Sequence, residues 1–282
     1  MRTLTLVLFA VSFSQALFAV ANPIETLTNN KRAVINGHGN KPLLETRTFL
    51  SRRGTYKEDE AEDLEEKAEG ALENSLYAAL DVLKALFNSK GIPYAVQGGL
   101  AIKLQGKSDR ETHDLDISVS TSSKNLQAAL KGRNDIQWHE KIAQQLGAGG
   151  TKLYLDAEGH KVQADVLLST GELGQDVSKA NDIRGYKILD LPTLFKSKLG
   201  AYSRRGEEKD LCDLIWMYES KASAIKSSVG SFNEYQRYEF ARAYADYVDD
   251  DEAKALYDFL GIEGSDSDSE SENESDDESD DD

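Results

Sequence analysis

Residues Tyr94 to Val119 read Y-A-V-Q-G-G-L-A-I-K-L-Q-G-K-S-D-R-E-T-H-D-L-D-I-S-V, and this stretch constrains the fold most. The apolar run Tyr94-Ala95-Val96 ends a buried strand, Gly98-Gly99 follows, and Leu100 to Leu104 begins a helical pattern. Two glycines between strand and helix let backbone N–H groups approach a bound group without Cβ interference. A helix N-terminus adds a field that favours phosphate. Fifteen residues after Gly99 comes Asp114-Leu115-Asp116-Ile117-Ser118-Val119, which alternates polar and apolar residues and so predicts a half-buried strand. On that strand Asp114 and Asp116 share one face while Leu115, Ile117 and Val119 turn into a core. Carboxylates about 7 Å apart on one strand face suit magnesium, because hard divalent cations take oxygen ligands.

Gly-Gly alone is a common turn and Asp-x-Asp alone is a common solvated strand face; their order and context join them. Together they resemble the motif of the nucleotidyltransferase superfamily, an apolar residue, Gly-[Gly/Ser], a gap, then Asp-x-[Asp/Glu]. More narrowly, Gly98-Gly99-Leu100-Ala101-Ile102 with Arg110, Thr112 and Asp114-Leu115-Asp116 resembles the minimal, AbiEii-like toxin-type branch. Leu100 is a departure, since relatives often carry a hydroxyl residue there. The resemblance continues more weakly to about residue 218. It implies a small mixed sheet flanked by helices, an α/β (α+β) fold, and two-metal transfer of a nucleoside monophosphate from a nucleoside triphosphate to a hydroxyl. It further implies that Asp114, Asp116 and a third carboxylate hold Mg2+ or Mn2+. Gly98 and Gly99 would then grip the β- and γ-phosphates, with Arg110 and Thr112 at the nucleotide.

The third carboxylate is assigned to Asp165. It sits among Val162, Val166, Leu167 and Leu168, where an unpaired charge is costly, and the superfamily carries such a residue on a later strand. The other placement is an edge strand with Asp165 facing water. Thr151 to Leu155 and Lys161 to Leu168 flank Asp156-Ala157-Glu158-Gly159-His160, the pattern of a β-hairpin. Farther on, Pro192 marks a helix start, and Lys198, Arg205, Lys209, Asp210 and Asp213 recur at helical spacing. This resembles the helical segment of the same branch, in which a lysine and a Lys-Asp pair approach the triphosphate. Lys198 and Lys209 are therefore assigned to nucleotide binding. Read alone, the segment is also compatible with two charged amphipathic helices.

The flanks differ in kind. Residues 1–21 carry Arg2, an apolar run from Leu4 to Val20 and small residues at Ala19 and Ala21, the pattern of a secretory signal. A membrane anchor would need about 20 uninterrupted apolar residues, and Ser12, Ser14 and Gln15 break this run. Residues 22–57 are poor in apolar residues, contain Lys31-Arg32 and Arg52-Arg53, and read as a disordered leader or a cleaved pro-segment with no packed element. Glu58 to Asn88 reads as one helix whose stripe Leu72, Leu76, Leu80, Leu83 and Phe87 enters the core. Residues 263–282 are mostly serine and acid: Gly264 to Asp282 holds eleven Asp or Glu and no Lys or Arg, within a chain of net charge −17. Such a tail stays disordered and repels phosphate surfaces or attracts a basic partner.

What remains, 58–262, has the length of one domain. Cys212 is the lone cysteine, so no intrachain disulfide forms, which also suits a final workplace in a reducing compartment. The four histidines lack metal-ligand spacing, and no Ser-His or Cys-His nucleophile pattern is present. The expectation is a secreted nucleotidyltransferase, in one variant delivered into another cell, that acts on a protein, RNA or small-molecule acceptor and needs no membrane. The competing expectation is a secreted effector or binding protein that keeps the fold as a non-catalytic scaffold.

Overall fold

The computed structural model describes residues 54–262. The secretory signal read at 1–21, the leader up to residue 53 and the acidic tail 263–282 lie outside the described residues.

The described chain is a mixed α/β domain. Its elements begin with β1 (Thr55–Tyr56), α1 (Glu58–Ala68), α2 (Glu73–Ser89), β2 (Tyr94–Gln97), α3 (Gly98–Leu104) and β3 (Asp114–Val119). Next come α4 (Ser123–Leu130), β4 (Ile136–His139), α5 (Ile142–Gly147), β5 (Gly150–Ala157), β6 (His160–Leu168), β7 (Ala180–Ile183) and β8 (Tyr186–Leu189). The chain continues through α6 (Leu191–Arg205), α7 (Glu208–Ile225), α8 (Glu234–Ala245) and α9 (Asp250–Leu260). The eight described strands form one sheet in the order β1-β4-β5-β6-β3-β2-β8-β7. β2 runs antiparallel to β3, and β3 runs parallel to β6. β6 therefore lies between two neighbours, not at an edge.

Two expectations about the N-terminal region are corrected. The single helix read over Glu58 to Asn88 is two helices, α1 and α2, interrupted around Gly70. Separate amphipathic faces explain the break: α1 places Leu64 and Ala68 with Tyr56 and Tyr154, whereas α2 feeds the main core. Leu76, Leu80, Leu83 and Phe87 are wholly buried there, each contributing about 1.5–3 kcal/mol. Leu72, counted in that stripe, is the N-cap residue of α2 and is 54% exposed. The second correction concerns the leader, read as unpacked through Lys57. Tyr56 belongs to β1, pairs in parallel with His139 of β4 and is buried. Two residues are too short for a periodic pattern, so the pairing leaves no local signal.

Acidic Glu58, Asp59 and Glu60 complement the positive end of α1, and Lys57 N–H donates to Glu60 Oε2 at 2.8 Å. The hairpin β5–β6 closes through Glu158 and Gly159, both with positive φ, the two-residue turn such strands favour. Asp190 caps α6 by accepting from the Thr193 N–H at 3.0 Å, ahead of Pro192 in the first turn. Phe195 of α6 meets Phe240 of α8 edge-to-face at 5.9 Å, which fixes the C-terminal helices on the domain. Among the described residues no helix is long and apolar enough to cross a membrane.

Candidate active site

The register of the central strands decides where the carboxylates go. Gln97 of β2 pairs with Asp116 of β3, and Asp116 pairs with Asp165 of β6. Paired residues share a sheet face, so Asp116 and Asp165 stand side by side although 49 residues separate them in sequence. Leu115, Ile117, Val162, Ala164 and Val166, on the opposite face, are wholly buried. Local alternation thus pushes apolar side chains into the core and leaves the three carboxylates on the other side.

That side opens into a cleft of about 710 Å³, and all nine residues singled out in the sequence line it: Gly98, Gly99, Arg110, Thr112, Asp114, Asp116, Asp165, Lys198 and Lys209. Thr112 Oγ1 donates to Asp114 at 3.0 Å. Gln163 Nε2 donates to Asp165 Oδ1 at 3.0 Å, and Lys152 of β5 lies in register with Asp165.

The glycines have a packing role that the sequence did not signal. Gly98 has φ +65°, and a Cβ there would fall on Asp116 Oδ2 and lie 2.6 Å from its Cγ. A Cβ on Gly99 would lie 2.6 Å from Thr112 Oγ1 and 2.9 Å from Thr112 Cβ. The space freed by the missing side chains is therefore filled by the site's own Asp116 and Thr112. The Gly-Gly step and the Asp-x-Asp strand are one packing unit.

Electrostatics follow from this crowding. Burial first, then the carboxylates of Asp114 and Asp165, push Asp116 up to about 7. Burial likewise raises Asp165, with Lys152 and the Gln163 hydrogen bond opposing. Lys152, Lys198 and Arg205 oppose these shifts without cancelling them, and an all-oxygen donor set matches a hard cation. Among the described residues no three His, Cys, Asp or Glu side chains converge closely enough to form a ready metal cage. Asp114, Asp116 and Asp165 nevertheless provide the donors and the excess negative charge that such an ion would balance.

The lysines divide. Lys198 is only 7% exposed, and its Nζ bridges Asp210 Oδ1 and Asp213 Oδ2, each at 2.8 Å. Asp210 and Asp213 are wholly buried. Arg205 Nε donates to Asp210 at 2.7 Å. Arg110 Nε pairs with Asp213 at 3.0 Å and Lys107 with the same carboxylate at 3.2 Å. Burial would raise Asp213, but Lys198, Arg110 and Lys107 together hold it below its usual range. Lys198 and Arg110, assigned to the nucleotide, thus brace α6, α7 and the turn before β3 while lining the cleft. Lys209 instead lies on the exposed rim, paired with Glu207 at 2.8 Å.

The list of site residues drawn from the sequence lacked Asp210, Asp213 and Lys107 as partners, as well as Lys152, Lys196 and Arg204 in the cleft lining. The Lys-Asp-x-x-Asp spacing signalled the first two. Nothing local signalled Lys152, which reaches the site through strand register.

A family model described as "Nucleotidyl transferase AbiEii toxin, Type IV TA system" matches residues 81–270, about two thirds of the chain and a range that includes every candidate residue. The chain belongs to the AbiEii nucleotidyl transferase family. Among solved structures, an antigenic nucleotidyltransferase-like protein from Paracoccidioides brasiliensis is similar at 22% identity, covering 69% of this chain and 97% of that one, with a TM-score of 0.43. JHP933 from Helicobacter pylori is similar at 17% identity over 68% of this chain and 82% of that one, TM-score 0.43. Among curated proteins none matches. In this AbiEii-family chain the glycine pair, the strand carboxylates and the Lys-Asp helix all fall within the matched range.

Proposed function

We propose that the protein transfers a nucleoside monophosphate from a nucleoside triphosphate to a hydroxyl acceptor. The observation that carries this reading is the placement of Asp116 beside Asp165 in a cleft that Lys196, Arg204, Arg205 and Lys209 also line. Asp114, Asp116 and Asp165 would hold Mg2+ or Mn2+. When bound, such an ion neutralises phosphate charge and acidifies a coordinated hydroxyl.

The chain's own residues supply the rest. Lys196, Arg204, Arg205 and Lys209 line the cleft and offset the charge of a triphosphate. Backbone at Gly98-Gly99 approaches the phosphates from the start of α3. Lys198, held by Asp210 and Asp213, keeps α6 and α7 at fixed distance. Asp165, raised by burial, is placed to receive the acceptor's proton. In the reaction the acceptor oxygen bonds the α-phosphorus, the bond from that phosphorus to the α–β bridging oxygen breaks, and pyrophosphate leaves. The secretory signal read at residues 1–21 belongs to this proposal and assigns the work to the secretory route or beyond it.

Nucleoside triphosphates labelled in turn at the α- and γ-phosphate provide the test. Label from the α-position should enter the acceptor while γ-label leaves as pyrophosphate. Retention of γ-label on the acceptor would contradict nucleotidyl transfer.

A further inference from the structure

The cleft does not end at the carboxylates. Lys198 and Arg205, seven residues apart on one edge of α6, both act on Asp116 as opposing cations, so that edge faces the row. Gly200 and Arg204 lie round the helix from them and line the same cleft, as does Gln236 of α8, which packs on α6. A helix with its side chains is about 10–12 Å across. The cleft therefore crosses α6 from the carboxylate row to the α8 side, far enough to take a nucleoside beyond a phosphate held at the row.

Gly200 has no reason in the fold to be glycine. It is buried inside α6, where glycine weakens a helix relative to alanine, and its φ is not positive. A Cβ there would meet Arg204 Nη1 at 3.4 Å, Gln236 Nε2 at 3.6 Å and Gln236 Oε1 at 3.8 Å, ordinary contacts with the ends of flexible side chains. At Gly98 and Gly99 the same atom would collide with the site itself. The missing methyl at Gly200 instead leaves a gap bordered by a guanidinium and a carboxamide. Gln236 is a second, independent observation. It is the third residue of α8, where glutamine commonly reaches back to the N-cap backbone. Here Asn233 caps alone, accepting from the Gln236 N–H at 3.1 Å, and the Gln236 carboxamide faces Gly200. That carboxamide has no hydrogen-bond partner among the described residues, and it presents a donor beside an acceptor.

Resting on the nucleotidyl-transfer reading, we infer that Gln236 selects the nucleobase of the triphosphate: the base lies against Gly200 and pairs its edge with the Gln236 carboxamide. Backbone without a Cβ admits such a close approach, and the planar guanidinium of Arg204 suits the face of a base. A carboxamide matches an adjacent donor and acceptor on a base edge. Adenine and cytosine carry an amino group at that edge, guanine and uracil a carbonyl. A base of the wrong arrangement leaves the carboxamide unpaired, and sites built on hydrogen bonds reject such analogues strongly.

The test measures Kd from the ligand-dependent Tm of the full-length protein with Mg2+ and ATP, GTP, CTP, UTP or inorganic tripolyphosphate. One base, or one pair sharing the same edge group, should bind about tenfold tighter than the others and than tripolyphosphate. Gln236→Leu should cut that preference to within about twofold while leaving the Kd of tripolyphosphate within about twofold. Gly200→Ala should raise the Tm of the free protein, since its Cβ fits and alanine favours the helix. The same variant should weaken the preferred triphosphate about tenfold and spare tripolyphosphate. Equal binding of the four nucleoside triphosphates by the wild type would overturn the inference, as would a base preference that survives Gln236→Leu. So would a Gly200→Ala protein that binds the preferred triphosphate as tightly as the wild type, or a loss of tripolyphosphate binding in either variant. Binding of none of these probes by the wild type would instead sink the nucleotidyl-transfer reading.

Discussion

Asp116 and Asp165 stand in register on adjacent parallel strands, so two carboxylates share a site with Asp114 close by. Burial, and then this crowding, pushes Asp116 up to about 7 and gives stability a definite dependence on pH. A folded-state value above the unfolded one, near 3.8, means that the folded chain holds more protons between those values. Stability therefore falls as pH rises from about 4 to about 7, and Asp165, raised in the same sense, adds to the slope. Asp116→Asn should flatten that fall and raise Tm at pH 8. Thermal melts of both proteins across pH 4–8, without metal, provide the check; parallel curves would contradict the crowding.

Metal and proton should compete for the same oxygens. Millimolar Mg2+ with nucleoside triphosphate is expected to raise Tm strongly at pH 8 and little at pH 5.5. A ligand at about 100 times its Kd adds roughly 2.7 kcal/mol. A shift of equal size at both pH values would place binding away from the carboxylates.

Lys198 is expected to matter for folding before it matters for catalysis. Lys198→Met removes the cation from between two wholly buried carboxylates, a loss of about 3–5 kcal/mol for a buried pair. Lys209→Ala, on the exposed rim, should leave stability within about 0.5 kcal/mol of wild type and act on the KM for the triphosphate. Denaturant melts and initial rates on the two variants separate these roles.

The glycine pair and the Asp-x-Asp strand were legible in the sequence because both signals are local. Strand alternation placed Asp114 and Asp116 on one face, and the core positions Leu115, Ile117 and Val119 came with it. Asp165 was legible for a different reason, as a charge within an apolar run. What the sequence did not reveal depends on long separations: Arg110 reaches Asp213 across 103 residues, and Lys152 meets the site only through register. The glycines' tight fit against Asp116 and Thr112 was hidden as well, since a turn glycine and a glycine packed against a carboxylate look alike in one dimension.

That fit yields its own expectation. Gly98→Ala would set a methyl group on Asp116 Oδ2 at a φ of +65°. Strain of about 1–3 kcal/mol and displacement of the carboxylate should follow, lowering both Tm and the metal-dependent shift. An alanine variant with wild-type metal response would show that Asp116 moves aside freely.

The central claim is that the carboxylate row carries nucleotidyl transfer, and Asp116→Asn tests it most directly. The substitution keeps size and strand geometry and relieves crowding, so folding should survive. Incorporation of α-label from a nucleoside triphosphate, measured at equal folded protein, should fall by orders of magnitude, since about 1.36 kcal/mol of lost transition-state stabilisation costs tenfold in rate. An Asp116→Asn protein that transfers label as fast as the wild type would contradict the claim.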